Sequence, residues 1–219
     1  EQGLKGCGAL GGCGGRAKGR VVAAAASGRH RAYAGGLLGH TLGVCRLCLS
    51  FADRCPGLDR RVLRAGALCH DLGKIWEVSS GLVIDYTGPG RLIGHISLGL
   101  EKLEPFLRKS GLEGELAEHL KHLVLSHHGP REFGSPCLPA TAEALALHYA
   151  DNLDAKLNQT RGALQGIEDG ESGWSNYVPG MDRALFKAPA TPVSPEERRK
   201  SPRSRDDGQG LLLESQCLL

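Results

Sequence analysis

With 219 residues, 41% of them apolar, the chain is long enough to bury one ordinary hydrophobic core without disulfide staples. Its formal net charge of +3 is too small to argue for a nucleic-acid partner, and no apolar run, Leu211-Leu212-Leu213 included, approaches the roughly 20 residues of a membrane-spanning helix. Eight cysteines do not read as a disulfide framework, because Cys45, Cys48 and Cys69 fall inside apolar helical patterns where a free thiol acts as a small hydrophobe.

The chain starts at Glu1 without an initiator Met or a charged-then-apolar leader. This reads as a fragment or processed product rather than a secreted precursor, and the expected compartment is the cytoplasm. Eight glycines among the first nineteen positions predict a flexible segment over residues 1–20. From Leu37 to about Ala52 the apolar positions Leu38, Leu42, Cys45 and Leu49 keep helical spacing, with His40 near the start. Cys45-x-x-Cys48 has no second pair to complete a zinc site, so core packing is the expectation. Pro56-Gly57 breaks the pattern and Asp59 is placed to cap a second helix, whose run Val62, Leu63, Ala65, Ala67, Leu68 leads into Cys69-His70-Asp71-Leu72-Gly73-Lys74, the helix being expected to carry His70 and Asp71 and to stop at Gly73.

Between Ile75 and Gly90 the pattern turns to Trp76, Val78, Leu82-Val83-Ile84 and Tyr86, which predicts a short β-hairpin or extended excursion. Gly94-His95 opens another helix, which Pro105 is expected to kink or divide. Leu112 to His128 is helical and stops at Gly129-Pro130; His119 and His122 lie away from the terminal His127-His128 pair and read as surface or outer positions. The turn-rich loop from Arg131 to Pro136 follows at once. The longest helix runs from about Thr141 to Leu164, with Ala144, His148, Asp151 and Ala155 along one face. The pattern weakens around Trp174 to Lys187. Residues 189–219 read as a disordered tail, its charges balanced at five of each sign over residues 191–219.

Burying an imidazole and a carboxylate beside leucines at the end of the second helix costs several kcal/mol unless both find strong partners, and a divalent cation is a partner for both. His40, His70, Asp71, His95, His127, His128 and Asp151 offer only nitrogen and hard oxygen from separate helices, which suits two ions bridged by one carboxylate better than one tetrahedral ion. Asp71 is the expected bridge. Two such ions outweigh the charge of two aspartates, leaving a centre that attracts phosphate and holds a bridging hydroxide. Lys74, beside the pair, is placed either to meet a phosphate oxygen or to cap the helix. Asp71 and Lys74 are therefore the candidate catalytic residues.

The order His, His-Asp, His, His-His, Asp resembles that of the HD superfamily of phosphohydrolases. The fuller phrases His30-Arg31-Ala32-Tyr33-x-Gly35-Gly36-Leu37-Leu38-x-His40-Thr41, His70-Asp71-Leu72-Gly73-Lys74, Gly94-His95-Ile96-Ser97, Leu125-Ser126-His127-His128-Gly129, Glu132-Phe133-Gly134-Ser135-Pro136 and His148-Tyr149-Ala150-Asp151-Asn152-Leu153-Asp154-Ala155-Lys156 are similar to those of YhaM-type 3′-to-5′ exoribonucleases. The resemblance implies an all-α fold, an HD-domain helical bundle over residues 21–188 with a short β-hairpin excursion and flexible termini. It implies a two-ion centre favouring Mn²⁺, with Fe²⁺, Co²⁺ and Mg²⁺ compatible, held by the seven ligands named above. The implied activity is 3′-to-5′ hydrolysis of single-stranded RNA, with single-stranded DNA as a further candidate.

Positions matched near the site make Lys74, Glu132, Ser135, Asp154 and Lys156, together with His30 and Arg31, the candidate substrate contacts. His30-Arg31 stands where the family commonly has a His-His pair, and Gly39 where it commonly has an acidic residue. Family members usually carry an OB-type domain ahead of this one, and without its stacking platform the chain is expected to act poorly on RNA or to prefer short oligonucleotides. Expected partners are single-stranded RNA or short oligonucleotides and no membrane, with a homo-oligomer left open. Two other readings compete: a nucleotide or cyclic-dinucleotide phosphohydrolase, and a non-catalytic nucleic-acid-binding module.

Overall fold

A computed structural model describes residues 36–79 and 85–189 of the chain. The expected flexible segment 1–20, His30 and Arg31, the middle of the expected hairpin and the tail from residue 190 lie outside the described residues. Seven α-helices carry the described fold: α1 (Gly36–Arg54), α2 (Arg60–Cys69), α3 (Lys74–Glu77), α4 (Gly88–Leu92), α5 (Gly94–Ser110), α6 (Gly114–Ser126) and α7 (Ala142–Leu164). The chain divides into two compact units, residues 1–160 and 161–219.

Helix α2 is the organising element of the first unit. Asp59 caps it, accepting the Arg61 and Val62 backbone N–H groups at 2.7 and 3.2 Å. Its ten residues bury two sides at once. Val62, Leu63 and Ala67 join Val44, Cys45, Cys48 and Leu49 of α1, Leu123 of α6, and Ala144, Leu147 and Ala150 of α7 in one core cluster. Ala65 and Cys69 join Leu103 and Leu107 of α5 and Ala117, Leu120 and Val124 of α6 in a second. Each fully buried leucine contributes roughly 1.5–3 kcal/mol, so α2 is held from both sides by far more than its own helix propensity. Gly66 lets α6 approach, since a Cβ there would stand 2.4 Å from Leu123 Cδ2. Cys45 and Cys48 are buried free thiols of the first cluster, as expected from the sequence, and burial pushes the Cys48 thiol up to about 12.

Beyond Cys69 the chain makes a turn rather than extending the helix to Gly73, so His70 and Asp71 leave α2 at the end of both clusters. Gly73 is required by proximity: a Cβ would lie 1.8 Å from the His95 carbonyl oxygen, and this seats the start of α5 directly on the turn. Three local expectations are corrected. Ile75 and Trp76 are helical, within α3, and Gly88–Leu92, where the extended excursion was expected to close, forms a capped turn of helix; of the expected hairpin the described residues show the antiparallel bridge Val78–Tyr86. The reason is Thr87, whose hydroxyl accepts the Gly90 N–H at 2.9 Å, starting α4, and donates to the Trp76 carbonyl, tying α4 back to α3. Pro105 does not divide α5, which runs unbroken from Gly94 to Ser110. The residue whose carbonyl loses its helical partner there, Glu101, is exposed and water can satisfy it.

The second unit contains a two-stranded antiparallel pair, Gly173–Trp174 (β1) with Phe186–Lys187 (β2), in which the Trp174 and Phe186 rings lie 5.2 Å apart. Lys187 Nζ donates to the Ile167 and Glu168 carbonyls at 2.6 and 2.9 Å and fixes the end of this pair within the unit. Among the described residues no helix is long and apolar enough to cross a membrane.

Candidate metal centre

Four helices deliver imidazoles to one place. His40 comes from the second turn of α1, His70 from the turn after α2, His95 from the first turn of α5, and His127 and His128 from the end of α6. His40, His70 and His127 are buried, and so is Asp71 between them. Asp71 is the pivot: its Oδ2 faces His40 Nε2 at 3.4 Å and His70 Nε2 at 3.5 Å, whereas its Oδ1 faces His95 Nε2 and His127 Nε2, each at 3.6 Å. Asp151, on α7, reaches in to His40 Nε2 at 2.9 Å and His70 Nε2 at 3.9 Å. The donors fall into two groups that could each hold a metal ion, His40, His70 and Asp71 in one and His95, His127 and His128 in the other. Every residue expected as a metal ligand from the sequence is thus in this one place.

Each imidazole turns Nε2 inward because its Nδ1 is held from behind. His70 Nδ1 donates to the Ala67 carbonyl at 2.9 Å and His127 Nδ1 to the Val124 carbonyl at 2.8 Å, both three residues back in the helix each has just left. His128 Nδ1 donates to the Phe133 carbonyl at 2.9 Å, which makes the loop after α6 part of the centre. His40 and His95 are backed by carboxylates instead, Asp154 at 2.6 Å and Glu77 at 3.1 Å. Glu77 also accepts the His95 backbone N–H at 3.0 Å. His148 donates from Nδ1 to the His127 carbonyl at 2.9 Å and occupies the space a side chain on Gly129 would take.

The electrostatics differ from residue to residue. Burial alone would raise the Asp71 carboxyl, yet the Lys74 ammonium, at 2.7 Å from Oδ2, and the His70 and His127 imidazoles hold it well below the usual range, so it is ionised at neutral pH. Burial likewise opposes the charge on Asp151, and the hydrogen bond from His40 overrides it and lowers that carboxyl. Burial lowers His127, and burial with the neighbouring His127 and His95 lowers His128 to about 4, which leaves both neutral with free lone pairs. His40 goes the other way: burial lowers it, but the Asp151 and Asp154 carboxylates outweigh burial and bring it up to about 9.

A cation fits this donor set. Among the described residues, Asp71 Oδ1, His95 Nε2 and His127 Nε2 are buried and without a hydrogen-bond partner, three lone-pair atoms converging where burial would otherwise cost about 1–3 kcal/mol each. Nitrogen and hard oxygen donors without thiolate suit a first-row divalent ion.

Among the expected substrate contacts, Lys74 is half-buried and bonded to Asp71, and Glu132 is exposed in a 3₁₀ turn, Arg131–Phe133. Lys156 is half-buried on α7. Two are corrected. Ser135 is buried with its hydroxyl within hydrogen-bond reach of the Leu125 and Cys137 carbonyls, so it fastens the loop to α6. Asp154 bonds His40 from behind. His119 and His122 belong to neither donor group and order the chain entering α7: His119 Nε2 lies 2.9 Å from Thr141 Oγ1, and His122 Nε2 accepts the Ala140 N–H at 2.9 Å. Glu77 was not anticipated from the sequence, and His148, read on the same face as Asp151, was given no role there. The signal for Glu77 was available in its spacing of three from Lys74 on a single helical turn, which the extended reading of that stretch hid.

Residues 37–156 match the model of the family described as HD domain. The chain is also similar to proteins named 3′-5′ exoribonuclease YhaM: 42% identical over 165 residues to that of Bacillus subtilis and 40% over 165 residues to that of Bacillus licheniformis, covering 75% of this chain and 52% of the relative in both cases. To that of Shouchella clausii it is 38% identical over 173 residues, 79% of this chain and 54% of the relative. The chain therefore spans about half the length of the curated relatives it matches. No solved structure matches it significantly.

Proposed function

This chain belongs to the HD-domain family, and on that premise we propose that it is a divalent-metal-dependent phosphodiesterase that removes nucleotides from the 3′ end of single-stranded RNA. The observation that carries the chemistry is the position of Asp71, one oxygen toward His40 and His70 and the other toward His95 and His127. His40, His70, Asp71 and Asp151 would hold one ion; Asp71, His95, His127 and His128 would hold the other. Manganese is the favoured ion, given a mixed imidazole and carboxylate donor set. Bound there, the ions would supply Lewis-acid polarisation of the phosphoryl oxygens and an acidified water as nucleophile.

The chain's own residues prepare that chemistry. Asp71 stays ionised because Lys74 is beside it, and the same contact raises the Lys74 ammonium above its ordinary value against the effect of burial, so it remains charged. A protonated Lys74 beside Asp71 is placed to attract a phosphate oxygen of the substrate. Neutral His127 and His128 offer lone pairs without competing protons. The RNA substrate and the 3′ polarity rest on the similarity to proteins named as 3′-5′ exoribonucleases.

The test is a 5′-labelled single-stranded RNA oligonucleotide incubated with Mn²⁺, with chelator, and with Asp71→Ala. A ladder of 3′-shortened products that needs the ion and vanishes in the variant is the expected result. Intact RNA alongside turnover of mononucleotides or cyclic dinucleotides would move the assignment to a nucleotide phosphohydrolase.

A further inference from the structure

We infer that Asp154 and Glu77 are positioning residues, each keying one of the two ion positions through a single imidazole, and that Asp154 does not contact substrate. The inference rests on the two-ion reading above and deepens it. Of the imidazoles backed at Nδ1, His70, His127 and His128 lean on backbone carbonyls, which the helix ends and the loop supply whatever the side chains are. Only His40 and His95 lean on carboxylates, and they fall one in each donor group. A carboxylate behind an imidazole fixes the ring's orientation and makes Nε2 a stronger donor, which a carbonyl does less. Each group therefore contains one imidazole whose aim depends on a replaceable acid.

Asp154 is locked in that task from both sides. One carboxylate oxygen, Oδ2, accepts from His40 Nδ1 at 2.6 Å. The other lies over Gly43, one turn beyond His40 on the same helix, where a Cβ would come within 2.2 Å of Oδ1 and 3.1 Å of Cγ. The absence of a side chain at residue 43 is what lets α7 bring this acid behind His40. Glu77 has a matching seat. It accepts both the backbone N–H and Nδ1 of His95, and Gly90 of α4 packs against its carbonyl, where a Cβ would come within 2.0 Å.

The experiment is a titration of the metal-free full chain with Mn²⁺ by calorimetry, followed by electron paramagnetic resonance. Wild type should bind two ions and show the signal of a coupled pair. In Asp154→Asn, one ion should bind about 10–100-fold more weakly while the other is unchanged. At intermediate Mn²⁺ the spectrum should then be that of an isolated ion. Gly43→Ala should reproduce the Asp154→Asn pattern, because the added methyl displaces the carboxylate without altering it. Glu77→Gln should weaken the other ion. Asp154→Asn with two unchanged affinities and a raised KM for RNA would overturn the inference and return Asp154 to the substrate. A wild-type protein that binds fewer than two ions would instead refute the two-ion reading itself. If Asp154→Asn fails to melt cooperatively, Gly43→Ala and Glu77→Gln decide the matter on the same readouts.

Discussion

The two halves of the centre satisfy their buried polar atoms in opposite ways. Around His40 and His70 there are carboxylates in excess, Asp71, Asp151 and Asp154, and the half is held together by a proton on His40, whose pKa of about 9 follows from the Asp151 and Asp154 contacts that outweigh its burial. Around His95 and His127 the imidazoles are inward, their Nε2 atoms and Asp71 Oδ1 have no hydrogen-bond partner among the described residues, and burial keeps His127 neutral. One half is an ion-pair network that a cation would enter by displacing a proton. The other is a set of lone pairs that a cation would complete. Asp71 belongs to both, and its position at the end of α2, where the two core clusters meet, makes the comparison a property of the fold as well as of the site.

Removing the shared member should have the largest effect. Asp71→Ala should lose both ions by calorimetry and lower RNA cleavage by roughly 1,000-fold or more, since it removes the common ligand and leaves the buried imidazoles unbridged. His127→Ala should break the halves apart, abolishing the ion on the His95 side while leaving one ion on the His40 side, so bound Mn²⁺ measured after dialysis falls from two to one. Gly73→Ala acts on the spacing between the halves: its methyl would meet the backbone at His95 and Gly99, and the overpacking should destabilise the fold by about 2–3 kcal/mol, read as a lower denaturation midpoint.

The smallest effect is expected at the far end of α2. Asp59→Ala removes the cap and should cost about 1 kcal/mol of stability with both ion affinities unchanged, because it touches neither half. The Arg61 hydrogen bond, the Arg61 and Val62 N–H groups and the Arg61 charge overcome its modest burial and depress the Asp59 carboxyl. A depressed carboxyl contributes stability above its unfolded pKa and loses it as pH falls through the lower folded value. The difference between wild type and Asp59→Ala should therefore shrink as denaturation is repeated from neutral pH down into that acid range.

Most of the cluster was legible because a polar side chain ending an apolar helical pattern stands out: His70-Asp71 after α2, His127-His128 after α6, His95 at the start of α5; His40 and Asp151, inside α1 and α7, were legible only as members of the ordered set. The residues behind them were harder to read. Asp154 stands three positions after Asp151, which on a helix places both on one side, yet the sequence does not show that His40 needs a partner at its second nitrogen until α1 and α7 are adjacent. Glu77 was hidden because Trp76 and Val78 suggest a strand, whereas Thr87 and Gly90 close a helical turn around it. Ser135 was read from the company it keeps, a polar loop beside the site, and its burial depends on α6 packing that no local pattern encodes. At Pro105 the general rule left a kink or a division open, and α5 is not divided.

The most direct test of the account is a crystal structure grown with Mn²⁺ and measured at the manganese absorption edge. Two anomalous peaks flanking Asp71 are predicted, one among His40, His70 and Asp151 and the other among His95, His127 and His128. A single peak, or two that do not share Asp71, would contradict it.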